Sequence, residues 1–186
     1  MSLKQTPLYE MHQKYGGKII DFGGWALPVQ FAGIIKEHHM VRQKAGLFDV
    51  SHMGEISIKG PRALEFTRYL VTNDVKPLQD KQIIYALMCY PDGGVVDDLL
   101  VYKFSDDNIF LVVNAANLDK DFAWIKEHAF PDVEVENLSD HYAQLAVQGP
   151  EAERILQKIS DTDLGSVKFF WFNPEIKIGG VECMVS

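Results

Sequence analysis

The sequence lacks the features that mark several common classes of protein. It contains no run of about 18 apolar residues, so no transmembrane helix is predicted, and residues 1–13 lack the apolar core of a signal peptide. Neither of the glycine-rich nucleotide loops, G-x-G-x-x-G or G-x-x-x-x-G-K-S/T, occurs. These absences predict a protein with no membrane partner and no nucleotide site of the usual kinds.

Positive charge is also scarce. The chain carries 18 lysines and arginines against 26 aspartates and glutamates, which gives a net charge of −8. Proteins that bind nucleic acids broadly need a basic face to contact the phosphates. We therefore predict no nucleic-acid partner.

Cysteine and histidine are too few and too scattered to predict a metal site. The two cysteines, Cys89 and Cys183, lie far apart in apolar runs and no secretory signal precedes them, which predicts reduced residues and a cytoplasmic location. His38 and His39 are adjacent in a predicted helix, where neighbouring side chains diverge by roughly 100°, so they do not form an i, i+4 zinc pair.

The order of the predicted elements indicates the fold class. Antiparallel hairpins are interspersed with single helices, which predicts an α+β fold of antiparallel sheets with packed helices rather than a doubly wound parallel sheet. Residues 23–33 are predicted to be a loop, and Pro61 to occupy the first position of a helix. Helices are predicted at 5–15, 34–45, 61–71, 115–129 and 150–159, and strands at 18–22, 82–90, 94–104, 109–114, 132–138 and 142–149 and within 47–60 and 167–186.

Two segments of the chain resemble each other. Residues 56–70 and 145–159 align without gaps, with a Gly-Pro pair at the same place in each and matching apolar positions in the helix that follows. The repeat predicts two related β-α units, each a strand, a corner and a helix. We take it as a hypothesis that the domain is pseudo-duplicated around a twofold axis.

The stretch YPDGGVVDDLLVY, residues 90–102, contains an unusual pair of carboxylates. Asp97 and Asp98 are neighbours inside a predicted buried strand, so their side chains point to opposite faces of the sheet. Burying an unpaired charge is costly, so such a group needs a partner, a shifted pKa or a cavity. Alternation places Asp98 on the face of Tyr102, and Asp97 on the face of Leu99 and Val101.

Polar side chains meet on one face of the predicted three-stranded meander. Tyr85, Asp98, Tyr102 and Asn114 come from consecutive strands and share what we call the meander face. A phenol, a carboxylate and an amide in an apolar frame form a pocket suited to a small heterocyclic ligand. The alternative is structural, with Asp98 capping a nearby loop or pairing with a lysine.

Several longer motifs resemble one known family over nearly the whole chain. The segments DFGGWALPVQF, GLFDVSHMGE, TNDV, MCYPDGGVVDDLLVY, VVNAAN with DKDFAWI, and AVQGP stand in the order and wording of the glycine cleavage T-protein family of aminomethyltransferases. The resemblance implies an enzyme of glycine catabolism and one-carbon metabolism that depends on tetrahydrofolate. It would take the aminomethyl carbon from the lipoyl arm of its partner, the lipoylated H protein, release ammonia and form 5,10-methylenetetrahydrofolate.

The resemblance also implies roles for individual residues. Asp98 matches the family's essential carboxylate, Asn114 an asparagine that contacts folate, and Tyr85 a tyrosine of the same pocket. Phenylalanines stand at two positions where the family often has tyrosines, so a hydroxyl is lost there while stacking is kept. The further pocket-lining positions are Met53, Tyr102, Val112, Phe169 and Phe170.

The resemblance further implies that the chain is one half of a longer protein. The family continues after a strand like residues 181–186 with an Arg-Thr-Gly-Tyr-Thr-Gly-Glu segment, which carries a pterin-binding glutamate and leads to arginines near the folate tail. We expect residues 1–50 to wrap the core, and residues 51–186 to form a folate-binding-type α+β domain that is cut off before the C-terminal domains. Alone, this chain is expected to fold poorly, bind folate weakly and be inactive.

Two other functions remain open at this point. A non-catalytic folate-binding module, like the relatives that assist iron-sulfur assembly, would bind folate without transferring a carbon. Demethylases of methylated amines or sulfonium compounds would differ in the pocket for the second substrate. Assaying transfer from lipoylated H protein separates these possibilities.

Overall fold

The computed structural model describes residues 2–186 and confirms the predicted α+β class. Within these residues the strands form one five-stranded sheet, in the order β5-β6-β7-β4-β8, and three two-stranded sheets, β1-β2, β3-β9 and β10-β11. The helices are α1 (Tyr9–Lys14), α2 (Ile34–Gln43), α3 (Ala63–Leu70), α4 (Leu118–Glu127) and α5 (Ala152–Leu156), with short 3-10 turns at Ser139–His141, Gln157–Ile159 and Leu164–Ser166. The strands are β1 (Ile19–Phe22), β2 (Trp25–Pro28), β3 (Gly46–Asp49), β4 (Gly54–Lys59), β5 (Gln82–Cys89), β6 (Val95–Ser105), β7 (Asn108–Val113), β8 (Glu134–Asn137), β9 (Leu145–Gln148), β10 (Asn173–Ile178) and β11 (Val181–Val185).

The chain divides into two compact units. All eight residues proposed for the folate site belong to the second unit. The division into residues 1–50 and 51–186 stays a proposal about domain organisation. The first unit comprises the chain up to His52, Ala143–Gly165 and Lys177–Val181, and the second comprises Met53–Tyr142, Ser166–Ile176 and Glu182–Ser186.

The first unit contains a hairpin where the sequence predicted a loop. Gly23 and Gly24 have φ angles of 59° and 90°, values that glycine adopts without steric cost. Two consecutive left-handed residues form the tight turn that suits a β-hairpin, and Asp21 Oδ1 accepts a hydrogen bond of 2.8 Å from Gly24 N. Residues 25–28 therefore pair with β1, so the prediction of a loop over 23–33 is wrong for these residues.

Asp49 anchors the N-terminal segment of the first unit. Its Oδ2 accepts a hydrogen bond from Thr6 Oγ1 at 2.6 Å and lies 2.8 Å from His12 Nε2, while its Oδ1 accepts one from Ser51 N at 3.1 Å. Burial opposes ionisation of Asp49, but the hydrogen bonds from Ser51, Thr6 and His12 outweigh it and lower its pKa. The DVS motif thus has a structural role.

The strand-corner-helix repeat is confirmed within each unit. β4 leads through Gly60 into α3, and β9 leads through Gly149 into α5. The two glycines have φ angles of 131° and 126°, and each carbonyl accepts a hydrogen bond of 3.0 Å from the amide three residues on, at Ala63 and Ala152. The two segments therefore have the same backbone conformation and the same hydrogen bond at the corner between strand and helix.

The third predicted helix, residues 61–71, needs a small correction at its start. α3 begins at Ala63 with Arg62 as its N-cap residue, so Pro61 lies in the corner and not at the first helical position. The corner takes up the proline because the chain must turn sharply after the left-handed Gly60 before helical hydrogen bonding starts.

The five-stranded sheet of the second unit has two different faces. One face packs against α3 and α4 and carries the larger core, which includes Ile56, Ile58, Phe66, Leu70, Leu99, Val101, Leu111 and Ile125. The opposite face carries a smaller cluster of Ile83, Tyr102, Phe110, Val112 and Phe172. Because successive side chains of a strand alternate between faces, neighbouring residues of β6 are divided between the two.

Residues 167–172 do not form the predicted strand. They form a turn in which Phe170 has a φ of 58°, and its carbonyl accepts a hydrogen bond of 2.8 Å from Ile83 N. A left-handed residue interrupts an extended chain, so only Phe172 of this aromatic run enters the buried cluster.

Candidate functional site

The register of the meander brings the predicted polar residues to one face. Antiparallel pairing places Asp98 opposite Leu87, Tyr85 opposite Leu100, and Leu100 opposite Val112. Asn114 directly follows β7 and continues the same alternation. The meander face therefore exists as expected, with its polar end where β5, β6 and β7 meet.

Asp98 lies at the centre of a small hydrogen-bonded group. The Tyr85 hydroxyl donates to Asp98 Oδ2, and Asn114 Nδ2 donates to the main-chain oxygen of Asp98 at 2.9 Å and to its Oδ1 at 3.3 Å. Asp98 is half-buried. No lysine or arginine among residues 2–186 forms an ion pair with it, so the lysine-paired alternative is not found in this part of the chain.

The Asp97 side chain lies on the other face of β6. It is buried next to hydrogen-bond donors of the residues that follow β7. Its Oδ2 accepts from Asn114 N at 3.1 Å, and its Oδ1 accepts from Asn114 Nδ2 at 3.0 Å and from Asn117 Nδ2 at 2.7 Å. Burial opposes ionisation of Asp97, but hydrogen bonds from Asp121, Asn114 and Asn117 prevail and lower its pKa. Asp97 therefore has the hydrogen-bond partners that a buried carboxylate needs.

The side-chain oxygen of Asn114 is the one polar atom of this group that faces no donor in the described chain. Its Nδ2 is shared between Asp97 and Asp98, which fixes the amide with its oxygen pointing away from both carboxylates. A half-buried amide oxygen without a donor is a ready acceptor for a ligand N–H group.

Tyr85 and Tyr102 lie in contrasting environments. The Tyr85 side chain is 51% exposed, and its hydrogen bond to Asp98 raises its pKa. Tyr102 is buried, packs edge-on against Phe110 and Phe172, and places its hydroxyl 3.2 Å from Ser186 Oγ; burial raises its pKa. Tyr85 is thus accessible to a ligand, whereas Tyr102 belongs to the small buried cluster.

Apolar side chains frame the polar group. Met53 and Leu100 pack against the small buried cluster that includes Val112. Phe169 and Phe170 contact each other edge-on at 4.6 Å, and Phe169 is 89% exposed. The structure thus joins Met53 and Val112 to the meander face, while the side chains of the two phenylalanines lie outside its packed cluster.

Glu55 is a residue of the meander face that sequence reasoning missed. It pairs with Val112 across the sheet and is only 3% exposed, and no group in the described chain donates a hydrogen bond to its Oε2. Burial raises its pKa to about 7. Alternation from Met53 along β4 was the available signal, since residues 53 and 55 point to the same face.

The described chain contains neither a group of metal-ligand side chains nor a membrane-spanning helix. Among residues 2–186, no three histidine, cysteine, aspartate or glutamate side chains are grouped so as to hold a metal ion. No helix of this part of the chain is both long and apolar enough to cross a bilayer.

The second unit is thus an α+β domain whose central meander carries Tyr85, Asp98 and Asn114 in one hydrogen-bonded group. The model of the GCVT N-terminal domain family matches residues 8–186. The chain belongs to this family, as its motifs predicted.

The relatives agree with this assignment. The aminomethyltransferase of Thermoanaerobacter sp. (strain X514) is 59% identical over 186 residues, covering 100% of this chain and 50% of the relative. That of Alkaliphilus oremlandii is 56% identical over 185 residues, covering 99% of this chain and 50% of the relative. The chain therefore spans about half the length of the curated relatives it matches.

Solved structures show the same fold. The aminomethyltransferase T of the glycine cleavage system from Bartonella henselae superposes with a TM-score of 0.87 at 36% identity, covering 92% of this chain and 47% of that one. The heterotetrameric sarcosine oxidase from Corynebacterium sp. U-96 gives a TM-score of 0.55 at 13% identity, over 80% of this chain and 75% of that one, which is a likeness of fold alone.

Proposed function

We propose that this chain is the folate-binding half of a tetrahydrofolate-dependent aminomethyltransferase of the glycine cleavage system. The reaction moves the aminomethyl carbon from lipoylated H protein to tetrahydrofolate and releases ammonia. Membership of the GCVT N-terminal domain family supports the class. The observation that carries the chemistry is Asp98, a half-buried carboxylate held by Tyr85 and Asn114 without a cationic partner.

The meander face suits a folate heterocycle, which has apolar ring faces and polar edges. The unpartnered amide oxygen of Asn114 is available to accept from a ring N–H group, and the unpartnered Glu55 Oε2 shows that the same face holds a polar atom with unused hydrogen-bonding capacity. The residues proposed to line the site are Met53, Tyr85, Asp98, Tyr102, Val112, Asn114, Phe169 and Phe170.

The proposed role of Asp98 follows from charge. As the amine leaves, positive charge develops on the aminomethyl carbon, and a fixed carboxylate next to it stabilises that charge. Tetrahydrofolate, when bound, would supply the two nitrogens that form the new bonds to this carbon, while the bond to the lipoyl sulfur breaks and the thiol is restored. Asp98 is placed to accept a proton from a folate nitrogen. The hydrogen bonds from Tyr85 and Asn114 hold the carboxylate in place, and the apolar residues around it strengthen the interaction by lowering the local dielectric constant.

The other functions considered gain less support. The relatives compared are named aminomethyltransferases, and none of them favours a non-catalytic module of iron-sulfur assembly. A lipoylated H protein remains the proposed partner. The cytoplasmic location stays a prediction from the sequence.

The test is an assay of transfer from lipoylated H protein to tetrahydrofolate. It uses this chain alone and an extended chain, in which the second half of one of the aminomethyltransferases compared above follows Ser186. We expect the extended chain to bind folate and release ammonia, and the 186-residue chain to bind folate weakly and not turn over. Folate binding by the extended chain without any transfer would contradict the enzyme and favour the binding module.

A further inference from the structure

A third carboxyl group lies behind the Asp97–Asp98 pair. Asp121 is on α4, one turn after Asn117, whose carbonyl accepts a hydrogen bond of 2.8 Å from Asp121 N. The Asp121 side chain is completely buried, on the same side of the helix as Ile125. An acidic side chain buried in a hydrophobic core needs a specific hydrogen-bonding partner, because burying it without one is costly.

The surroundings of Asp121 identify this partner as Asp97. No N–H or O–H group of residues 2–186 makes a hydrogen bond of good geometry to either Asp121 oxygen. The Lys120 ammonium lies 3.5 Å from Asp121 Oδ1, but it donates its hydrogen bond to Val96 O. Asn117, one turn before Asp121, donates to Asp97 Oδ1 at 2.7 Å, which brings this part of α4 next to Asp97. Hydrogen bonding between the two carboxyl groups lowers the pKa of Asp97 and, after burial, raises that of Asp121.

Two carboxyl groups form a hydrogen bond only when one of them carries a proton. Asp97 accepts three hydrogen bonds, two from Asn114 and one from Asn117, and these favour its ionised form. Asp121 receives none of comparable quality, and its ionised form would be buried next to another negative charge. The proton therefore belongs on Asp121.

We propose that Asp121 is a positioning residue for the transfer reaction: as a neutral acid it donates to Asp97, which keeps Asp97 oriented to hold Asn114 and, through Asn114, Asp98. This inference rests on the proposed function for its catalytic consequence, but its protonation and hydrogen bonding do not. It extends the site from the meander face through the sheet to α4.

The electrostatics of the pair agree with this arrangement. Burial, reinforced by the hydrogen bond to Asp97 and the negative charge of Asp97, raises the pKa of Asp121 to about 8, and Lys120 opposes the shift only in part. Asp97 on β6 and Lys120 on α4 are the charged groups that face Asp121. Above pH 8 the loss of this proton places two negative charges together and removes the donor that orients Asp97.

The sign of the pH dependence follows from proton counting. Between pH 3.8 and about 8 the folded protein holds a proton on Asp121 that the unfolded chain releases, so this group makes the protein less stable as pH rises through that window. Asparagine at position 121 is neutral at every pH and still offers an N–H donor, so Asp121→Asn should remove the dependence while keeping the hydrogen bond.

The experiment compares the extended chain with its Asp121→Asn and Asp121→Leu variants. Expected for Asp121→Asn is a kcat within about threefold of the parent at pH 7 and no loss of kcat between pH 8 and pH 9, where the parent declines. Expected for Asp121→Leu is a kcat lower by about tenfold or more, the scale of a misplaced catalytic group, with a smaller change in KM for folate.

Thermal unfolding without folate is the second readout. This measurement does not depend on catalysis, and the comparison of Asp121→Asn with the parent stands even where Asp121→Leu fails to fold. The difference in Tm between Asp121→Asn and the parent should increase in favour of the variant by at least about 4 °C from pH 5 to pH 9. Titration of Glu55 does not affect this difference, because Glu55 is present in both proteins. An unchanged Tm difference across this range overturns the proton assignment. A flat pH profile in the parent, or full activity of a folded Asp121→Leu protein, overturns the positioning role.

The two readouts separate this inference from the proposed function. Absence of transfer in every protein, together with the expected Tm difference, refutes the enzyme function and leaves the hydrogen-bonded acid pair established. Normal transfer without the Tm difference refutes the acid pair and leaves the enzyme function intact.

Discussion

Asn114 binds Asp97 through two groups at once, since its main-chain N–H donates to Oδ2 at 3.1 Å and its side-chain Nδ2 donates to Oδ1 at 3.0 Å. This arrangement fixes the end of β7 to the start of β6. The same Nδ2 also reaches the carboxylate of Asp98 on the other face of the strand. A single asparagine therefore couples a buried structural carboxylate to the proposed catalytic one.

Removing the charge of Asp98 should abolish most of the transfer activity. In Asp98→Asn the side chain keeps its shape and loses the negative charge that is proposed to stabilise the developing cation, so kcat in the extended chain should fall by at least about 100-fold. Steady-state release of ammonia measures this. Asp119→Asn, which removes a carboxylate from the exposed side of α4, is the matched control and should keep the parent rate. A near-parental rate for Asp98→Asn would refute the catalytic assignment.

The two asparagines that bind Asp97 should differ in their effect on folate. Asn114→Ala removes the amide that holds Asp98 and offers its oxygen to the ligand, so folate should bind about tenfold more weakly, the loss expected for one hydrogen bond of about 1.5 kcal/mol. The side chain of Asn117 donates to Asp97, while its main-chain N–H donates to Asn114 O and is kept on substitution, so Asn117→Ala should lower stability by a similar free energy and leave folate affinity unchanged. Fluorescence titration with folate and urea unfolding distinguish the two. Equal losses of affinity in both variants would contradict the direct role of Asn114.

Much of this site was predictable because strand alternation is a local property. The period of two placed Asp98 with Tyr102, and Asp97 with Leu99 and Val101, as the structure has them. Alternation gives the face of a strand but not the partner across it. The contact between Asp97 and Asp121 depends on where α4 packs, which the sequence pattern did not reveal.

The errors of the sequence analysis also have local physical causes. The composition of residues 23–33, with glycine, proline and large aromatic residues, predicts a loop, yet Gly23 and Gly24 make a hairpin possible that includes β2. The aromatic run at residues 167–172 predicts a strand because such residues have high β propensity, yet the left-handed backbone at Phe170 breaks the extended chain. In both places the backbone conformation of one or two residues overrode composition.

Glu55 should make the protein less stable as pH rises toward neutrality. Its pKa is 4.5 in the unfolded chain and about 7 in the folded protein because burial disfavours its charge. Its contribution to stability is therefore complete below pH 4.5 and is lost as pH rises to about 7, at a cost of up to about 3 kcal/mol. Glu55→Gln should be more stable than the parent at pH 8 and no more stable at pH 4. Urea unfolding of the extended chain at both values measures the difference, and equal stabilisation at the two pH values would contradict the assignment.

The corner between β4 and α3 should tolerate no side chain at its glycine. Gly60 has a φ of 131°, outside the range that other residues readily adopt, and a Cβ atom there would collide with the carbonyl oxygen of Asp132. Gly60→Ala should therefore lower the free energy of unfolding by more than about 2 kcal/mol, combining backbone strain with displacement of the neighbouring chain. Gly93→Ala provides the control, because Gly93 also has a positive φ, of 89°, but has open space around its Cβ position. Its loss should be only about 1 kcal/mol, the cost of the left-handed conformation alone. Urea unfolding of both variants at one pH tests the pair, and equal losses would show that the contact with Asp132 contributes nothing and that the corner is set by backbone strain.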